Sequence, residues 1–319
     1  MTAVSSLADL QLEFEQPADA AAAEVLRALL GAMEANLPGA IDDPDSESLH
    51  DLRVAVRRSR SVQRQLKRAF PPVELDHFRA EFRWLQGLTG PARDLDVYVL
   101  GFDDLGALVP EATQGDLDPL LDVLRHHREQ AREEMAEGLR SVRFTTPMSE
   151  WAALLELLPS MPVADRPDAK RAIGELAGTR IVKVYKRMVK MGGAIDSTSP
   201  PAAYHALRKK GKELRYLLEL FGAKLYPDKV VKPMIKSLKA LQDVLGRHQD
   251  RQVQQAMLRS LSEELAALSD GAATLMAVGA LLVSLAEDAR ATRGQFAERF
   301  EAFASSKQRA LVKDTFAKR

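Results

Sequence analysis

The sequence predicts an all-α fold made of two related halves. Helix-favouring Leu, Ala, Glu, Arg and Gln are abundant, and apolar residues recur at helical spacing in almost every segment. The β-branched alternation that is typical of strands is nearly absent. In addition, a basic motif that begins at His50 recurs at His205, 155 positions later. The chain of 319 residues is long enough to bury a sizeable core.

Helix-breaking residues divide this pattern into segments. We expect helices at about 20–36, 46–69, 74–89, 93–105, 117–141, 147–158, 168–194, 200–223, 228–245, 249–268 and 271–304. The expected breaks are Pro38-Gly39, Pro71-Pro72, Gly90-Pro91, Pro110, Pro159 with Pro162, and Gly192-Gly193. Ser199 is a predicted N-cap with Pro200 at the first helical position. The acidic run 42–46 is predicted to cap the helix that starts near Glu47.

The formal net charge of zero conceals a separation of charge along the chain. Residues 1–49 contain ten acidic residues and one basic residue, whereas residues 50–68 contain seven Lys or Arg and one acid. Residues 94–124 contain eight acids and no base, and residues 179–216 contain ten Lys or Arg and two acids. Such blocks create local electrostatic fields that select charged ligands even when the whole chain is neutral.

The composition also excludes several classes of protein. Cysteine is absent, which excludes a disulfide framework, a thiolate nucleophile and thiolate metal sites. Residues 1–22 lack the basic and apolar regions of a signal peptide. The most apolar stretch, 272–286, is too short to span a bilayer and is predicted to be a buried helix. We therefore expect a cytoplasmic protein with no membrane partner.

Three landmarks repeat in the same order. His50-x-x-Arg53-x3-Arg57-x2-Arg60 recurs as His205-x-x-Arg208-x3-Lys212-x2-Arg215, and Phe70-Pro71 recurs as Tyr226-Pro227. Leu85-Gln86-x3-Gly90-x3-Asp94 recurs as Leu241-Gln242-x3-Gly246-x3-Asp250. The repeat predicts two copies of one helical unit, at about 20–165 and 166–319, that pack as a pseudo-two-fold pair with a shared groove.

Each copy places basic residues on one side of a helix, because positions i, i+3, i+7 and i+10 lie on one stripe. The first basic stripe consists of His50, Arg53, Arg57, Arg60 and Arg64, the second of His205, Arg208, Lys212 and Arg215, and the third of Arg180, Lys183, Arg187 and Lys190. Ordinary solvated faces are the alternative, but these usually mix charges of both signs, and the stripes contain no acid. We therefore predict that the stripes converge on a basic surface that a ligand compensates. The spacing of about 5 Å per turn favours a linear polyanion.

Other candidates have weaker support. Arg125, Arg128 and Arg132 share the spacing but alternate with glutamates, and Lys239 and Arg293 are possible rim residues. For His50 and His205, a packing or capping role and a ligand contact both remain open. For Asp94 and Asp250 we favour helix capping over a role in which the carboxylate holds an Arg or His in place. The adjacent histidines 126 and 127 do not suggest a metal site, because neighbouring helical residues do not face one ion.

The motif residues resemble those of the CHAD family, the conserved-histidine α-helical domain. The segment His50–Arg60 and the run Arg93-Asp94-Leu95-Asp96-Val97 resemble its first-half motifs. His205–Arg208, Lys212, Leu214-Arg215-Tyr216 and the Leu241–Asp250 motif resemble its second-half motifs. The resemblance runs from about residue 20 to the C-terminus, after an N-terminal segment 1–19. One departure is Glu213, where the family usually has a second basic residue, so the second stripe is expected to be weaker.

The resemblance implies two pseudo-symmetric four-helix bundles with a basic central groove or pore. It also implies binding of inorganic polyphosphate, often at polyphosphate granules, and no catalysis, metal or cofactor. Besides the residues of the stripes and the weaker candidates, Arg58, Lys209 and Tyr216 lie within these motifs and complete the expected binding set. Glu13-Phe14-Glu15-Gln16-Pro17 has proline where the lysine of a CYTH triphosphatase motif would stand, so we expect no such catalytic domain.

Two other functions remain alternatives at this point. A nucleic-acid-binding protein is disfavoured, because the basic helices lack interleaved aromatic residues for base stacking. A metal-assisted phosphohydrolase is disfavoured, because hydrolysis of phosphoanhydrides usually requires carboxylates that hold a metal beside the cations. Polyphosphate binding by a cytoplasmic, granule-associated module is therefore the leading hypothesis.

Overall fold

The computed structural model describes residues 10–42, 47–196 and 198–317, and within these ranges it contains no strand. Its helices of eight or more residues are α1 (Ala18–Asp42), α2 (Ser48–Gln65), α3 (Pro72–Leu88), α4 (Gly90–Leu100), α5 (Asp118–Arg140), α6 (Val142–Leu157), α7 (Ile173–Gly192), α8 (Pro201–Leu217), α9 (Asp228–Ser260), α10 (Gly271–Gly294), α11 (Phe296–Phe303) and α12 (Ser306–Phe316). Short α-helical turns span Phe102–Gly106, Glu111–Gln114, Ala223–Leu225 and Ser262–Ala266. Single 3₁₀ turns span Lys67–Ala69, Gly115–Leu117 and Leu158–Ser160, and Leu218–Gly222 is a π-helical turn. The all-α prediction is confirmed.

Two predicted helix breaks are wrong. Pro38 lies inside α1, where Met33 and Ala40 are fully buried on either side of it, so the packing of the last turn compensates for the backbone hydrogen bond that proline cannot donate. The expected gap between helices 228–245 and 249–268 is also absent, because α9 continues through Gly246 with Leu245 and His248 on its buried face.

The predicted starts of two helices differ from the structure or lie outside its described residues. Pro200, rather than Ser199, is the N-cap of α8, and Ser199 Oγ instead accepts a hydrogen bond from the backbone N–H of Asp196. The residues expected to cap the helix at Glu47 lie mostly in 43–46, outside the described residues.

The helices form two groups that share one core. In the first group α1 packs on α2 and α6, and α3 packs on α2 and α6. In the second group α7 packs on α8 and α12, and α9 packs on α8 and α11. Buried residues of both groups belong to a single apolar cluster, which includes Leu52 and Trp151 from the first group and Leu214 and Leu241 from the second. That the two groups are related by pseudo-two-fold symmetry stays a prediction.

A second, smaller core lies at the distal ends of the helical hairpins. The end of α4 and the start of α5 contribute Tyr98 and Leu124, and the end of α9 and α10 contribute Leu258 and Leu281. Each half of the chain therefore supplies a group of helices to the main core and one hairpin to the distal core.

The segment that precedes α1 packs against the second half of the chain. Leu10 and Leu12 are buried, and Phe14 packs edge-on against Tyr226 with ring centroids 5.8 Å apart. Pro17 forms an isolated antiparallel bridge with Ala172, just before α7. The proposed boundary between residues 1–19 and the domain stays a prediction.

The stretch Gly271–Phe303 is long and apolar enough to cross a membrane, whereas we had expected 272–286 to be too short. Helix α10 instead places Leu281 and Leu285 in the distal core. A third of the apolar 18-residue stretch that meets the criterion is buried inside the protein. Core helices of soluble proteins also meet this criterion of length and composition.

Candidate functional site

The two helices that begin with the repeated motif, α2 and α8, pack against each other and bring their basic residues to one cavity. This basic cavity of about 410 Å³ is lined by Arg57, Arg60, Ser61, Gln63, Arg64, Arg79, Arg83, Gln86, His205, Arg208, Lys209, Lys212, Glu213 and Tyr216. Arg57, Arg60 and Arg64 of the first basic stripe and His205, Arg208 and Lys212 of the second therefore line one cavity, whereas His50 and Arg53 do not.

The apolar faces of the two helices determine this arrangement. Leu52, Ala55 and Val62 are almost fully buried on α2, and Leu207 and Leu214 are fully buried on α8. Because a helix cannot turn one face to the core without turning the other away, the charged stripes are directed to the space beside the main core.

Matched residues of the repeat make matched contacts in the two halves. Arg60 Nη1 donates a hydrogen bond to Gln86 Oε1 in the first half, and Arg215 Nη1 donates to Gln242 Oε1 at 3.4 Å in the second. A Cβ atom at Gly90 would lie 3.7 Å from Arg53 Nη1, and one at Gly246 would lie 3.9 Å from Arg208 Nε. Each repeated glycine therefore lies beside an arginine of the same motif, at a distance that would be ordinary van der Waals contact for a Cβ atom. These recurring contacts support the predicted repeat.

Arg57 and Lys212, which are matched in the repeat, have no ion-pair or hydrogen-bond partner among the described residues. The Nε atom of Arg57 is buried without an acceptor. Burial, followed by the charges of Arg208, Arg57 and Arg215, lowers the pKa of Lys212 to about 8. Two unpaired cations that repel each other in a cavity favour the binding of an anion there.

Other cations of the stripes are already paired with carboxylates. Arg64 contacts Glu213 at 3.5 Å, Arg208 contacts Asp250 at 3.4 Å and Arg215 contacts Glu219 at 3.4 Å. Carboxylates of the protein therefore already compensate part of the charge for which we predicted a ligand. That prediction treated each helix alone, whereas Asp250 comes from α9 and Glu213 and Glu219 lie outside the stripes on the same stretch of chain.

Two further cavities extend the basic surface along α9. A cavity of about 350 Å³ shares Arg208 and Lys212 with the basic cavity and adds Arg247. A third, of about 480 Å³, shares Asp243 with the second. It is lined by Lys232, Lys236 and Lys239, which places the expected rim residue Lys239 beside this surface. Together the three cavities form a row of neighbouring cationic pockets.

Arg125, Arg128 and Arg132 lie elsewhere, around a separate cavity of about 460 Å³ between α1 and α5. Arg128 and Arg132 contact the buried carboxylate of Asp96 at 2.8 and 3.2 Å. Arg125 contacts Asp122 at 3.3 Å. The structure therefore does not bring these three arginines to the basic cavity.

The third basic stripe is also separate. None of Arg180, Lys183, Arg187 and Lys190 lines the row of cavities, so the prediction that all three stripes converge is wrong for α7. Arg180 contacts the buried Asp168 at 3.6 Å, and the other three are exposed. The rotation of α7 places Ile181 and Met188 in the main core, and its basic side follows from that orientation.

Three predicted contact residues are occupied in structural interactions. Arg53 is buried and donates to the backbone carbonyl of Gln86 and to Thr89 Oγ1. Arg58 is buried and contacts Glu219 at 3.0 Å. Arg293 donates to the Tyr204 hydroxyl and to backbone carbonyls of the segment before α8. These side chains hold elements together, and Arg53 and Arg58 offer little surface to a ligand.

The two histidines have different environments. His205 lines the basic cavity, and its Nδ1 lies 2.7 Å from Gln249 Oε1. His50 is exposed and is not among the residues that line the basic cavity. Partial desolvation, followed by the charges of Arg93 and Arg57, lowers the pKa of His50 below its ordinary value.

The preferred role of Asp94 and Asp250 as helix caps is wrong, because both lie inside helices, in α4 and α9. Asp250 instead contacts Arg208, and the charge of Asp94 raises the pKa of Arg53 against the larger lowering by burial. The contact between Asp250 and Arg208 agrees with the alternative, in which a carboxylate holds an arginine in place.

Sequence reasoning missed Arg79, Arg83 and Arg247, which line the cavities. Arg79 and Arg83 are one turn apart on α3, and Gln86 continues their face, which flanks the face of the buried Phe78 and Phe82. The spacing of these arginines could have predicted a basic face, but acidic residues close by in the sequence made the segment resemble an ordinary face of mixed charge. Within the described ranges, no group of three or more His, Asp or Glu side chains is placed to hold a metal ion.

The chain resembles proteins of one family along most of its length. A model of the CHAD domain matches residues 24–259. Two uncharacterized proteins of Mycobacterium tuberculosis, from strains CDC 1551 / Oshkosh and H37Rv, are each 29% identical over 213 residues, which is 64% of this chain and 38% of theirs. The chain thus spans less than two fifths of the length of these relatives.

Two solved structures share the fold. The CHAD domain from the plant Ricinus communis is 26% identical, with a TM-score of 0.76 over 92% of this chain and 94% of that chain. PptA from Streptomyces chartreusis is 18% identical, with a TM-score of 0.67 over 90% of this chain and 100% of that chain. At 18% identity the likeness to PptA concerns the fold alone.

Proposed function

Because this chain belongs to the CHAD family, we propose that it binds inorganic polyphosphate along the basic cavity and the two cavities that adjoin it. The observation that carries the proposal is the meeting of the two halves at one cavity, where Arg57 and Lys212 face each other without a carboxylate partner among the described residues. Polyphosphate is also the ligand that the family resemblance implies.

The arrangement suits a chain of phosphates better than a single phosphate. The three cavities share lining residues in sequence, so cations follow one another from Arg83 on α3, past Lys212, to Lys236 on α9. A linear polymer with one negative charge per phosphate contacts such a row at several points, and each contact adds to the affinity by releasing counterions.

The proposal separates binding from catalysis. The carboxylates that line the basic cavity and its neighbour are Glu213, Asp243 and Asp250. Glu213 is bonded to Lys210 and Gln65, and Asp250 contacts Arg208, so these two groups are occupied by cations or amides rather than presented together to a metal. We expect no release of phosphate from polyphosphate, with or without magnesium.

Nucleic acid is a poorer fit to the same surface. Among the described residues that line the basic cavity, Tyr216 is the one Phe, Tyr or Trp, and it is 6% exposed. The guanidinium of Arg215 lies 5.7 Å from its ring centroid and covers it. Single-stranded nucleic acids usually gain affinity by stacking bases on exposed aromatic rings, which this cavity does not provide.

The decisive experiment is a titration with polyphosphates of graded length, in competition with single-stranded RNA. We expect affinity to rise with chain length until the polymer covers the three cavities, and RNA to compete poorly. The double variant Arg57→Gln with Lys212→Gln tests the site, and Lys183→Gln with Lys190→Gln is the matched control that removes the same charge from exposed positions on α7. Equal losses in both double variants, or stronger binding of RNA, would contradict the proposal.

We also propose a location for the protein in the cell. A protein that holds polyphosphate without consuming it suits a role at polyphosphate granules in the cytoplasm. Co-localisation of the fluorescently tagged chain with stained granules tests this role, and the Arg57→Gln, Lys212→Gln variant should become diffuse. A granule signal that is unchanged in the variant would mean that another surface directs the protein there.

A further inference from the structure

Three lysines on one turn of α8 have three different environments. Lys209 is exposed at the mouth of the basic cavity. Lys210 contacts the Glu213 carboxylate at 2.7 Å. Lys212 is partly buried, lines both the basic cavity and its neighbour, and has no hydrogen-bond or ion-pair partner among the described residues. The three side chains have the same chemistry, so any difference in their reactivity reports the environment.

The charges that act most strongly on Lys212 are mainly cationic. Arg208 and Arg215 come from its own helix, Arg57 comes from α2, and Asp250 from α9 is the acid that opposes them. The remaining charged groups that line the two cavities are Arg60, Arg64, Arg79, Arg83, His205, Lys209, Glu213, Asp243 and Arg247. No residue of α7 lines either cavity among the described residues, although α7 packs on α8.

The net effect of these neighbours is to lower the pKa of the Lys212 amine. Burial and the three arginines lower its pKa to about 8, while Asp250 opposes them. At neutral pH such an amine is unprotonated roughly two orders of magnitude more often than an ordinary lysine. An unprotonated amine is the nucleophilic form of the side chain.

We infer that Lys212 is an acylation site for small acyl phosphates, whose phosphate group docks on the guanidinium groups of Arg57, Arg208 and Arg215. Lys212 lines the basic cavity with Arg57 and Arg208, and lines the adjoining cavity with Arg208 and Arg215. The site therefore places a nucleophile beside guanidinium groups, and an acyl phosphate, in which a carbonyl carbon is bonded to a phosphate oxygen, can use both. The arginines hold the phosphate in the ground state and stabilise it as it departs.

The reaction is a simple acyl transfer. The Lys212 Nζ lone pair attacks the carbonyl carbon and forms an amide bond, while the bond between that carbon and the phosphate oxygen breaks with both electrons passing to the oxygen. Inorganic phosphate leaves, and the proton that nitrogen loses passes to the phosphate or to solvent. No oxidant, metal or cofactor enters the balance.

Acylation removes one cation from the centre of the basic cavity. On the proposed function, the modified chain would therefore hold polyphosphate less tightly, and bound polyphosphate would protect Lys212 from modification. This consequence rests on the proposed function, whereas the acylation itself depends only on Lys212 and its arginines.

The test is incubation of the whole chain with acetyl phosphate between pH 7 and 9, with acetylation at Lys209, Lys210 and Lys212 quantified by mass spectrometry of peptides. We expect Lys212 to react at least tenfold faster than Lys209 at pH 7.5. Inorganic phosphate should slow Lys212 and leave Lys209 unchanged. Equal or slower acetylation of Lys212 than of Lys209 would overturn the proposal.

A second acyl donor separates docking from simple amine reactivity. Phenyl acetate carries no phosphate, so the preference for Lys212 over Lys209 should be smaller with phenyl acetate than with acetyl phosphate. Arg215→Gln should reduce that difference between donors. The same preference with both donors would show that no phosphate docks, and would overturn the arginine cradle.

The link to polyphosphate is measured separately. Lys212→Arg retains the charge and cannot be acetylated under these conditions, so its polyphosphate affinity should resist acetyl phosphate treatment while that of the wild type falls severalfold. If Lys212 is acetylated but neither protein binds polyphosphate, the acylation site stands and the proposed function fails.

Discussion

Gln65 on α2 donates a hydrogen bond of 2.6 Å to Glu213 on α8, and so joins the two halves of the chain beside the basic cavity. Glu213 is 7% exposed, and its other oxygen lies 2.7 Å from Lys210 and 3.5 Å from Arg64. The acid that departs from the family pattern is therefore a structural link between α2 and α8. The same carboxylate adds negative charge to a surface that is otherwise cationic.

Glu213→Gln should change stability and affinity in opposite directions. The amide keeps the size of the side chain but weakens its charged hydrogen bonds, so we expect a loss of about 1–2 kcal/mol in the free energy of unfolding. Polyphosphate affinity should rise, because Arg64 and Lys210 are released and the cavity loses an anion. Urea denaturation and titration measure the two effects. Glu175→Gln, at an exposed position on α7, is the control and should alter neither. Weaker binding by Glu213→Gln would contradict the proposed site.

Arg58→Met should destabilise the protein with little effect on binding. Arg58 pairs with Glu219 at 3.0 Å, and their side chains are 9% and 20% exposed. Removal of one partner leaves a largely buried carboxylate that retains only Arg215, so we expect a loss of about 2–3 kcal/mol in the free energy of unfolding. Arg27→Met removes an exposed pair with Glu156 and should cost less than about 1 kcal/mol. If Arg58→Met instead weakened polyphosphate binding more than twofold at unchanged stability, Arg58 would be a ligand contact after all.

The salt dependence of polyphosphate binding should report the number of contacts. We expect affinity to fall steeply and linearly on a double-logarithmic plot against salt concentration, because bound cations displace counterions from the polymer. Arg57→Gln should make the slope shallower by about one. Lys183→Gln, which removes an exposed charge from α7, should leave the slope unchanged. A wild-type slope near zero would indicate a pocket for one phosphate group rather than a row of contacts.

The affinity for polyphosphate should decline in mildly alkaline solution through Lys212. Burial and neighbouring arginines lower the pKa of the free Lys212 to about 8. A bound polyanion favours the ammonium form, so the bound-state pKa must be higher than the free-state value. Affinity is therefore greatest below about pH 7, falls as pH rises through the free-state pKa, and levels off above the bound-state pKa.

Titrations between pH 6.5 and 9.5 at constant ionic strength measure this decline. Lys212→Arg is the matched variant, because arginine stays charged over the whole range, and its affinity should be nearly flat. An equal decline in both proteins would assign the pH dependence to another group.

For α2 and α8, the sequence predicted correctly which side of the helix faces the core. Leu52, Val62, Leu207 and Leu214 recur at helical spacing, and the structure buries all four. The same periodicity turned Arg57 and Lys212 away from the core, and the repeat placed both at matched positions. These predictions succeed because they depend on contacts between residues three or four positions apart.

Helix continuity was predicted less well. Pro38 and Gly246 were expected to end helices, yet both lie inside them. A proline or glycine inside a helix costs at most a few kcal/mol, and the burial of neighbouring apolar side chains outweighs this cost. No local pattern reveals that burial.

Only the tertiary structure decided which cations remain available to a ligand. Arg58 belongs to a basic motif, but its partner Glu219 is 161 positions away. Arg128 and Arg132 are held by Asp96 from α4, and the basic face of α7 is directed away from the cavity because Ile181 and Met188 occupy the core. Helical periodicity determines the side of a helix on which a charge lies, whereas its pairing depends on which helices pack together. The sequence by itself therefore determined the helices and their basic faces, and long-range packing left Arg57 and Lys212 without a carboxylate partner among the described residues.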